Sequence, residues 1–275
     1  MPVGTRFFVR RVDPYLFNEV RYTAAALSIM PLFLKARPWR WPAHDLALMG
    51  ACALLAIPGY NIPVALGARS VSAGQLGLLI ATEPVLIIGF ALLIERRRID
   101  ARLTLGSAIA LAGVSLTSGV LGGATVHVRG ALEVLTGAAS WSLYTVLVAR
   151  LYRRQGALAA TGAIVVVGSV LLILTSLPLM APLVWPDAGS LLALIAMGVL
   201  GSTLGFILWN FAGAHVPAER LGLFLYLIPL GSVISGALLL GEALTVTLVA
   251  GGLLTLAGVW IATHVVPGVA AAAEP

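Results

Sequence analysis

Hydrophobic positions in this chain do not alternate with period two, and they are not confined to one face of a helical period. They come in long blocks. Nine apolar runs, separated by short breaks of proline, glycine and charge, cover residues 18–34, 44–67, 71–94, 103–121, 130–148, 158–177, 190–213, 220–240 and 245–265. A helix needs about 20 apolar residues to cross a hydrocarbon core of about 30 Å, and most of these blocks reach that length. The first is the weakest, because only residues 22–34 are free of polar interruption. The pattern predicts an all-α polytopic membrane protein of about nine spans, with little chain left for a separate soluble domain.

Composition agrees. Sixty per cent of the 275 residues are hydrophobic and 10% are charged, and the mean hydropathy is +1.02, values that call for lipid as the solvent. A net charge of +6 could suggest a nucleic-acid partner, but the basic residues sit in short clusters between apolar runs, which is a topology signal. Lys35, Arg37 and Arg40 share one loop, and Arg69 stands alone in the next. Arg96, Arg97, Arg98 and Arg102 follow, then Arg129 alone, then Arg150, Arg153 and Arg154, and later Arg220. The excess of basic residues in alternate loops places the rich loops and the C-terminal tail in the cytoplasm, with Arg69 and Arg129 on the other side and the protein in the cytoplasmic (inner) membrane. Arg6, Arg10, Arg11 and Arg21 break the rule, since nine spans would leave them near the outer face. Cys52 is the sole cysteine, so neither an intrachain disulfide nor a cysteine metal cluster is available. Residues 1–11 lack the apolar stretch of a cleavable signal.

The chain also repeats. Laid without a gap on residues 218–259, residues 73–114 match at Leu76, Gly77 and Leu78 (Leu221, Gly222, Leu223), at Pro84 (Pro229), at Gly106 (Gly251) and at Leu111, Ala112, Gly113 and Val114 (Leu256, Ala257, Gly258, Val259). Glycines and prolines falling in step are not explained by apolar composition. The copies begin five spans apart, an odd number, so the second enters the membrane in the opposite direction and the repeat is inverted. The charges fit: Arg96 and Arg97 follow the helix in copy one, where Gly241 and Glu242 stand in copy two. This divides the chain into repeats at 1–124 and 125–265 and a tail at 266–275.

Residues 200–260 carry a Trp209–Asn210 pair, a helix ending in Ile228–Pro229, the string LLLGE ending at Glu242 and a closing LAGV helix. The first half carries Arg21–Tyr22, the string TEP containing Glu83 and Pro84, and LAGV at 111–114. Residues 137–150, GAASWSLYTVLVAR, are similar to a sixth helix of the same pattern. Together, over residues 13–265, these features resemble an EamA-type permease of the drug/metabolite transporter superfamily. The resemblance implies ten helices in a five plus five inverted repeat, cytoplasmic termini and a central cavity, with amino acids, related metabolites or drugs as cargo, often exported. Two departures stand out. Arg97, not Glu95, falls opposite Glu242, and residues 5–9 resemble the last turn of a first helix that is otherwise absent.

Several intramembrane residues are candidates for chemistry. Glu83 sits near the middle of its run, where an ionised carboxylate costs on the order of 3 kcal/mol by insertion scales. It must be protonated, paired or facing a wet cavity, as a coupling or ammonium-binding group or as a structural acid. Pro84 and Pro229 are candidate hinges or packing kinks. Asn61 and Asn210 can hydrogen-bond a solute or bridge helices. Trp141, Tyr144, Tyr226 and Tyr60 can line a cavity or sit in an interfacial belt, and the belt is favoured for Tyr60 and Tyr144. The expected solute-binding set is Glu83, Trp141, Tyr144, Trp209, Asn210, Tyr226 and Asn61.

Gly201 with Gly205, and Gly119 with Gly123, have the spacing of close helix contacts. His44, His127, His215 and His264 fall near span ends, as solvated residues. No zinc motif, nucleophile elbow or Walker loop is present, so the sequence offers no catalytic residues, metal site or cofactor. It reads as a secondary carrier working by alternating access, with a small-molecule substrate, the lipid bilayer and, as a candidate coupling ion, the proton for partners. Nucleic acid is not expected, and oligomeric state is open. A non-transporting membrane scaffold and an intramembrane enzyme without a recognisable motif are the competing readings.

Overall fold

A computed structural model describes residues 8, 12–71, 73–95, 101–117, 127–179, 185–228, 231 and 246–263. The described residues are helical throughout apart from turns. The helices are α1 (Pro14–Ala36), α2 (Ala43–Ala56), α3 (Pro58–Gly67), α4 (Ala73–Ile80), α5 (Glu83–Glu95), α6 (Ala101–Thr117), α7 (Val128–Gln155), α8 (Ala157–Ser176), α9 (Ala188–Ala196), α10 (Leu204–Gly213), α11 (Ala218–Leu223) and α12 (Val246–Thr263). A π-helical segment, Met197–Thr203, joins α9 to α10. Five stretches are long and apolar enough to cross a bilayer: Ala43–Gly67, Gln75–Ile94, Val128–Gln155, Ala157–Leu179 and Ala188–Gly213. Helix α1, with 23 residues, is long enough as well at 1.5 Å per residue. The protein is an all-helical polytopic membrane protein. Its described helices coincide with the apolar blocks of the sequence, except that the block 220–240 is described only at its start.

Local chemistry sets the helix ends. Asp13 caps α1 by accepting from the amides of Tyr15 (2.9 Å) and Leu16 (3.2 Å), with Pro14 following it, and Arg37 ends the helix at φ 48° before Pro38. Gly156, at φ 80°, allows the tight passage from α7 to α8. Asp187 caps α9. Hydrogen bonds from the Ser190 hydroxyl and amide hold its carboxyl below the usual carboxylate range.

Three apolar blocks are interrupted. α2 gives way to α3 at Ile57–Pro58, and α4 to α5 at Ala81–Thr82. There the ring of Pro84 conflicts with continuing the helix past the Ile80 carbonyl, and Pro84 itself falls in the tolerated first turn of α5. The π-segment Met197–Thr203 is the third interruption. Pro229 lies outside the described residues, as do Glu242, Arg97, Gly119, Gly123 and His264.

Lipid turns the distribution of polarity inside out. Leu27, Leu34, Leu93, Leu132, Leu174, Leu192 and Leu253 are exposed on the outer surface, whereas Asn18, Arg21, Asn61 and Glu83 are buried. Small residues bring backbones together. The most extensive helix contact is between α6 and α12, where a methyl group on Gly106 would lie 2.5 Å from the Gly258 carbonyl oxygen and one on Gly113 would lie 2.6 Å from that of Gly251. Gly67 faces Gly130 in the same way where α3 meets α7. That contact gathers Arg69 and Arg129 at one end of the bundle. At the other end, Arg154 of α7 pairs with Asp45 of α2 at 2.8 Å, and Gln155 donates to the same carboxyl at 2.7 Å. The basic residues of two loops that the sequence puts on one side therefore do share an end. His44, exposed beside Asp45, and His215, at a helix end, are located as expected, and the His127 side chain caps α7.

Behind the bundle centre, Asn210 ties three helices. Its carbonyl oxygen accepts from Tyr144 (2.6 Å) and Tyr152 (2.7 Å), and its amide donates to Thr161 at 2.8 Å. All of these groups are buried. Replacing Asn210 with leucine removes the acceptor of the Tyr144 and Tyr152 hydroxyls, at roughly 1–3 kcal/mol for each one left without a partner, while Thr161 keeps its bond to the Ala157 carbonyl, and lowers the midpoint of thermal unfolding in detergent by several degrees. Gly106→Ala and Gly258→Ala force a methyl group into opposing backbone and cost about 1–3 kcal/mol. Gly89→Ala, where the added methyl meets no neighbour, leaves the midpoint unchanged. Fluorescence-detected unfolding of the purified variants measures all four.

Candidate functional site

A cavity of about 290 Å³ opens among α1, α3, α4, α5, α7, the π-segment and α10. That is near the lower end of the roughly 300–1,000 Å³ range of ligand pockets. Each interrupted helix contributes at or just beyond its break. Tyr60, Asn61 and Val64 follow the break at Ile57, Ile80 and Glu83 flank the one at Ala81–Thr82, and Gly201 and Ser202 belong to the π-segment. Gly205 also lines the cavity and has open space where its side chain would be. Gly201 and Gly205, expected as helix contacts, therefore help make room in the wall.

An aromatic cluster forms one side. Trp141 lies 5.3 Å from Tyr60, 5.6 Å from Phe206 and 5.8 Å from Trp209 between ring centroids, distances at which ring quadrupoles favour tilted and edge contacts. All four residues line the cavity. Tyr144 touches Trp141 from outside the lining, at 5.1 Å.

Charge enters from two helices. Arg21 of α1 is only 5% exposed. Its guanidinium carbon lies 4.9 Å from the ring centres of both Phe17 and Tyr22, and one terminal nitrogen donates to Asn61 Oδ1 at 2.6 Å. Such cation–π contacts are worth about 2 kcal/mol when desolvated. Asn61 is held in turn, its side-chain amide donating to the Tyr22 hydroxyl (2.8 Å) and to the Ile57 carbonyl (2.9 Å), which also accepts the Asn61 main-chain amide. Asn18 donates to the Asn61 carbonyl at 3.1 Å. From α5, Glu83 is 1% exposed, with the Tyr60 hydroxyl near its carboxyl, while Ser142 of α7 donates to its main-chain carbonyl at 3.2 Å.

Of the seven residues expected to bind solute, the cavity takes in Glu83, Trp141, Trp209 and Asn61. Tyr144 and Asn210 lie behind it in the hydrogen-bonded tie between helices, and Tyr226 is buried among α5, α6 and α12. An interfacial belt is not where Tyr60 and Tyr144 sit: one faces the cavity and the other is wholly buried. Pro84 sets a helix break next to the cavity and is not in its lining. Sequence reasoning missed Arg21, Asn18 and Phe206. The signal for the first two was present, since Asn18 and Arg21 are spaced to share one face of the run whose polar interruptions made it look weak.

A model of the EamA-like transporter family matches residues 1–119 and again 128–263. An uncharacterized transporter of Archaeoglobus fulgidus is 24% identical over 93% of this chain and 91% of its own length. A probable terminal-alkyne amino-acid exporter of Streptantibioticus cattleyicolor is 29% identical over 88% of this chain and 80% of its own. The Bacillus subtilis transporter YdfC, also uncharacterized, is 29% identical over 85% and 77%. A solved crystal structure superposes with a TM-score of 0.78 over 93% of this chain and 88% of that one, at 22% identity, a likeness of fold. With the family model covering both halves of a helical bundle built around a cavity, the chain belongs to the EamA-like transporter family, a group of membrane permeases within the drug/metabolite transporter superfamily.

Proposed function

We propose that this protein is a secondary carrier that exports a small organic solute across the cytoplasmic membrane by alternating access. The observation that carries the reading is the convergence of three interrupted helices on one cavity that also holds the buried Arg21 and Glu83. Irregular backbone at membrane depth is tolerated where it lines a cavity, and discontinuous helices at a repeat interface are how inverted-repeat carriers build their solute sites.

The contact between α6 and α12 supports two inverted halves. Gly106 and Gly251 occupy equivalent positions in the repeat, as do Gly113 and Gly258. In space the pairs cross over, Gly106 meeting Gly258 and Gly113 meeting Gly251. Reciprocal contact of this kind is what a two-fold axis between the halves requires. The pairing of Asp45 with Arg154 at the end rich in basic residues fits a cytoplasmic closure. Amino acids are among the solutes to test, because one relative is named an amino-acid exporter. Glu83 is the proton-coupling candidate, since a carboxyl buried at midspan alternates between proton and solute at low cost only inside a cavity.

Proteoliposomes containing the full chain and preloaded with radiolabelled amino acids or related metabolites are expected to show saturable, exchangeable flux. A scaffold shows no flux of any solute. Trp141→Ala removes the centre of the aromatic cluster and weakens apparent affinity on the order of tenfold, equivalent to about 1.4 kcal/mol. Under an imposed pH gradient, Glu83→Gln loses accumulation while solute exchange continues. Accumulation at the wild-type level would remove the proton role.

A further inference from the structure

At the end of the bundle where Asp45 meets Arg154, basic residues from both halves of the chain collect. Lys35, Arg37 and Arg40 come from the last turn of α1 and the loop after it, and Arg150 and Arg153 from the last turns of α7. The Asp45–Arg154 pair holds the start of α2 against the end of α7 and so sets the two groups at one surface. All five residues are exposed, and among the described residues none of them forms an ion pair. The Asp45 carboxyl between the groups is buried and already taken by Arg154 and Gln155. The opposite end differs. There Arg69 and Arg129 share the surface with Asp13, Glu133 and Asp187, and Arg129 pairs with Glu133 at 3.0 Å.

Hydrogen bonds fix the loop that carries three of these charges. The Arg40 amide donates to the Arg37 carbonyl (2.9 Å), the Trp41 amide to the Pro38 carbonyl (2.9 Å) and the Trp41 indole to the Ala36 carbonyl (3.2 Å). A turn closed from residue i to i+3 keeps the Cα atoms of Arg37 and Arg40 within about 7 Å. Arg37 itself stands at φ 48°, a left-handed helix end where glycine is the ordinary residue. Membrane topology asks for positive charge somewhere in the loop. It does not ask for a guanidinium at the one position that strains the backbone. Beside the charges lies an apolar strip: Leu27, Pro31 and Leu34 share an exposed face of α1, and Trp39 is 57% exposed with its ring edge against Phe33. Indoles settle at headgroup depth and leucines beside acyl chains.

We propose that this surface binds an anionic phospholipid of the surrounding leaflet, its phosphate held between Arg37 and Arg40 and an acyl chain laid along Leu34, Pro31 and Leu27. Guanidinium groups meet a phosphodiester with forked donors, and Lys35, Arg150 and Arg153 add to the attraction that basic clusters at helix ends exert on acidic headgroups. A zwitterionic headgroup brings an ammonium among five cations and is the poorer occupant. A soluble polyanion matches the charges but not the apolar strip.

The test titrates the purified full chain, in micelles of a neutral detergent, with phosphatidylglycerol, phosphatidylcholine and glycerol 3-phosphate. Retained lipid is counted by native mass spectrometry, and the midpoint of thermal unfolding is followed in parallel. Phosphatidylglycerol is expected to be retained at least about tenfold more than phosphatidylcholine and to raise the midpoint by at least about 3 °C, whereas glycerol 3-phosphate leaves the midpoint unchanged. Arg37→Gly relieves the left-handed residue, so it should keep or raise the midpoint without lipid while lowering the lipid preference at least about threefold. Adding Arg40→Gln should abolish the preference. Arg69→Gln with Arg129→Gln, at the other end, should retain it. Equal retention of the two lipids by the unaltered protein overturns the proposal without recourse to any variant. So does a midpoint raised as much by glycerol 3-phosphate as by phosphatidylglycerol. Full preference in the Arg37→Gly, Arg40→Gln protein, or its loss on substitution of Arg69 and Arg129, overturns it as well. None of these outcomes depends on whether the protein carries a solute.

Discussion

A guanidinium inside a lipid-embedded bundle is the constraint around which this structure is arranged. Moving such a charge to the centre of a bilayer costs several kcal/mol at least, and Arg21 cannot shed it by deprotonation. The surrounding contacts answer that cost in turn: Phe17 and Tyr22 present ring faces, Asn61 presents its amide oxygen, and Asn61 is itself fixed by the Tyr22 hydroxyl and by a carbonyl at the end of α2. That carbonyl belongs to Ile57, where Pro58 interrupts the helix. The Ile57 carbonyl still accepts the main-chain amide of Asn61 in the helical ladder, and its second lone pair takes the Asn61 side-chain amide as well.

The same economy recurs at α5. Pro84 stops the helical ladder just before Glu83, and the Glu83 carbonyl is met by Ser142 from α7. Side chains thus reach main-chain carbonyls beside both breaks. Glycines do complementary work on the outside of the cavity. Between α6 and α12, and between α3 and α7, they allow backbones to approach closely, and van der Waals contact there substitutes for the hydrophobic drive that lipid does not provide.

Two kinds of polar site therefore coexist. The Asn210 group is closed, with both ends of its amide engaged and the surrounding tyrosines satisfied. The Arg21 and Glu83 group is open, with donors and acceptors left over on the cavity wall. A closed network fixes helix positions. An open one is the kind that a solute can complete.

The membrane class, the positions of most spans, the sharing of one end by two basic loops and the family were legible in the sequence. They depend on block hydrophobicity, charge spacing and local strings such as TEP and LAGV, which need no knowledge of neighbours. Glu83, Trp141, Trp209 and Asn61 could be picked out because a polar or aromatic residue inside an apolar run is conspicuous. Only the tertiary structure separated Asn61, on the cavity wall, from Asn210, a buried tie, since an amide's role depends on which helices face it. Only the structure moved Tyr60 from the membrane interface to the cavity, because a helix break lies three residues before it. Arg21 shows the boundary most clearly. In sequence it is one more arginine outside the clean apolar core, and a count of loop charges assigns it to the outer face. The packing of α1 against α3 turns it inward, and the whole polar interior follows from that rotation.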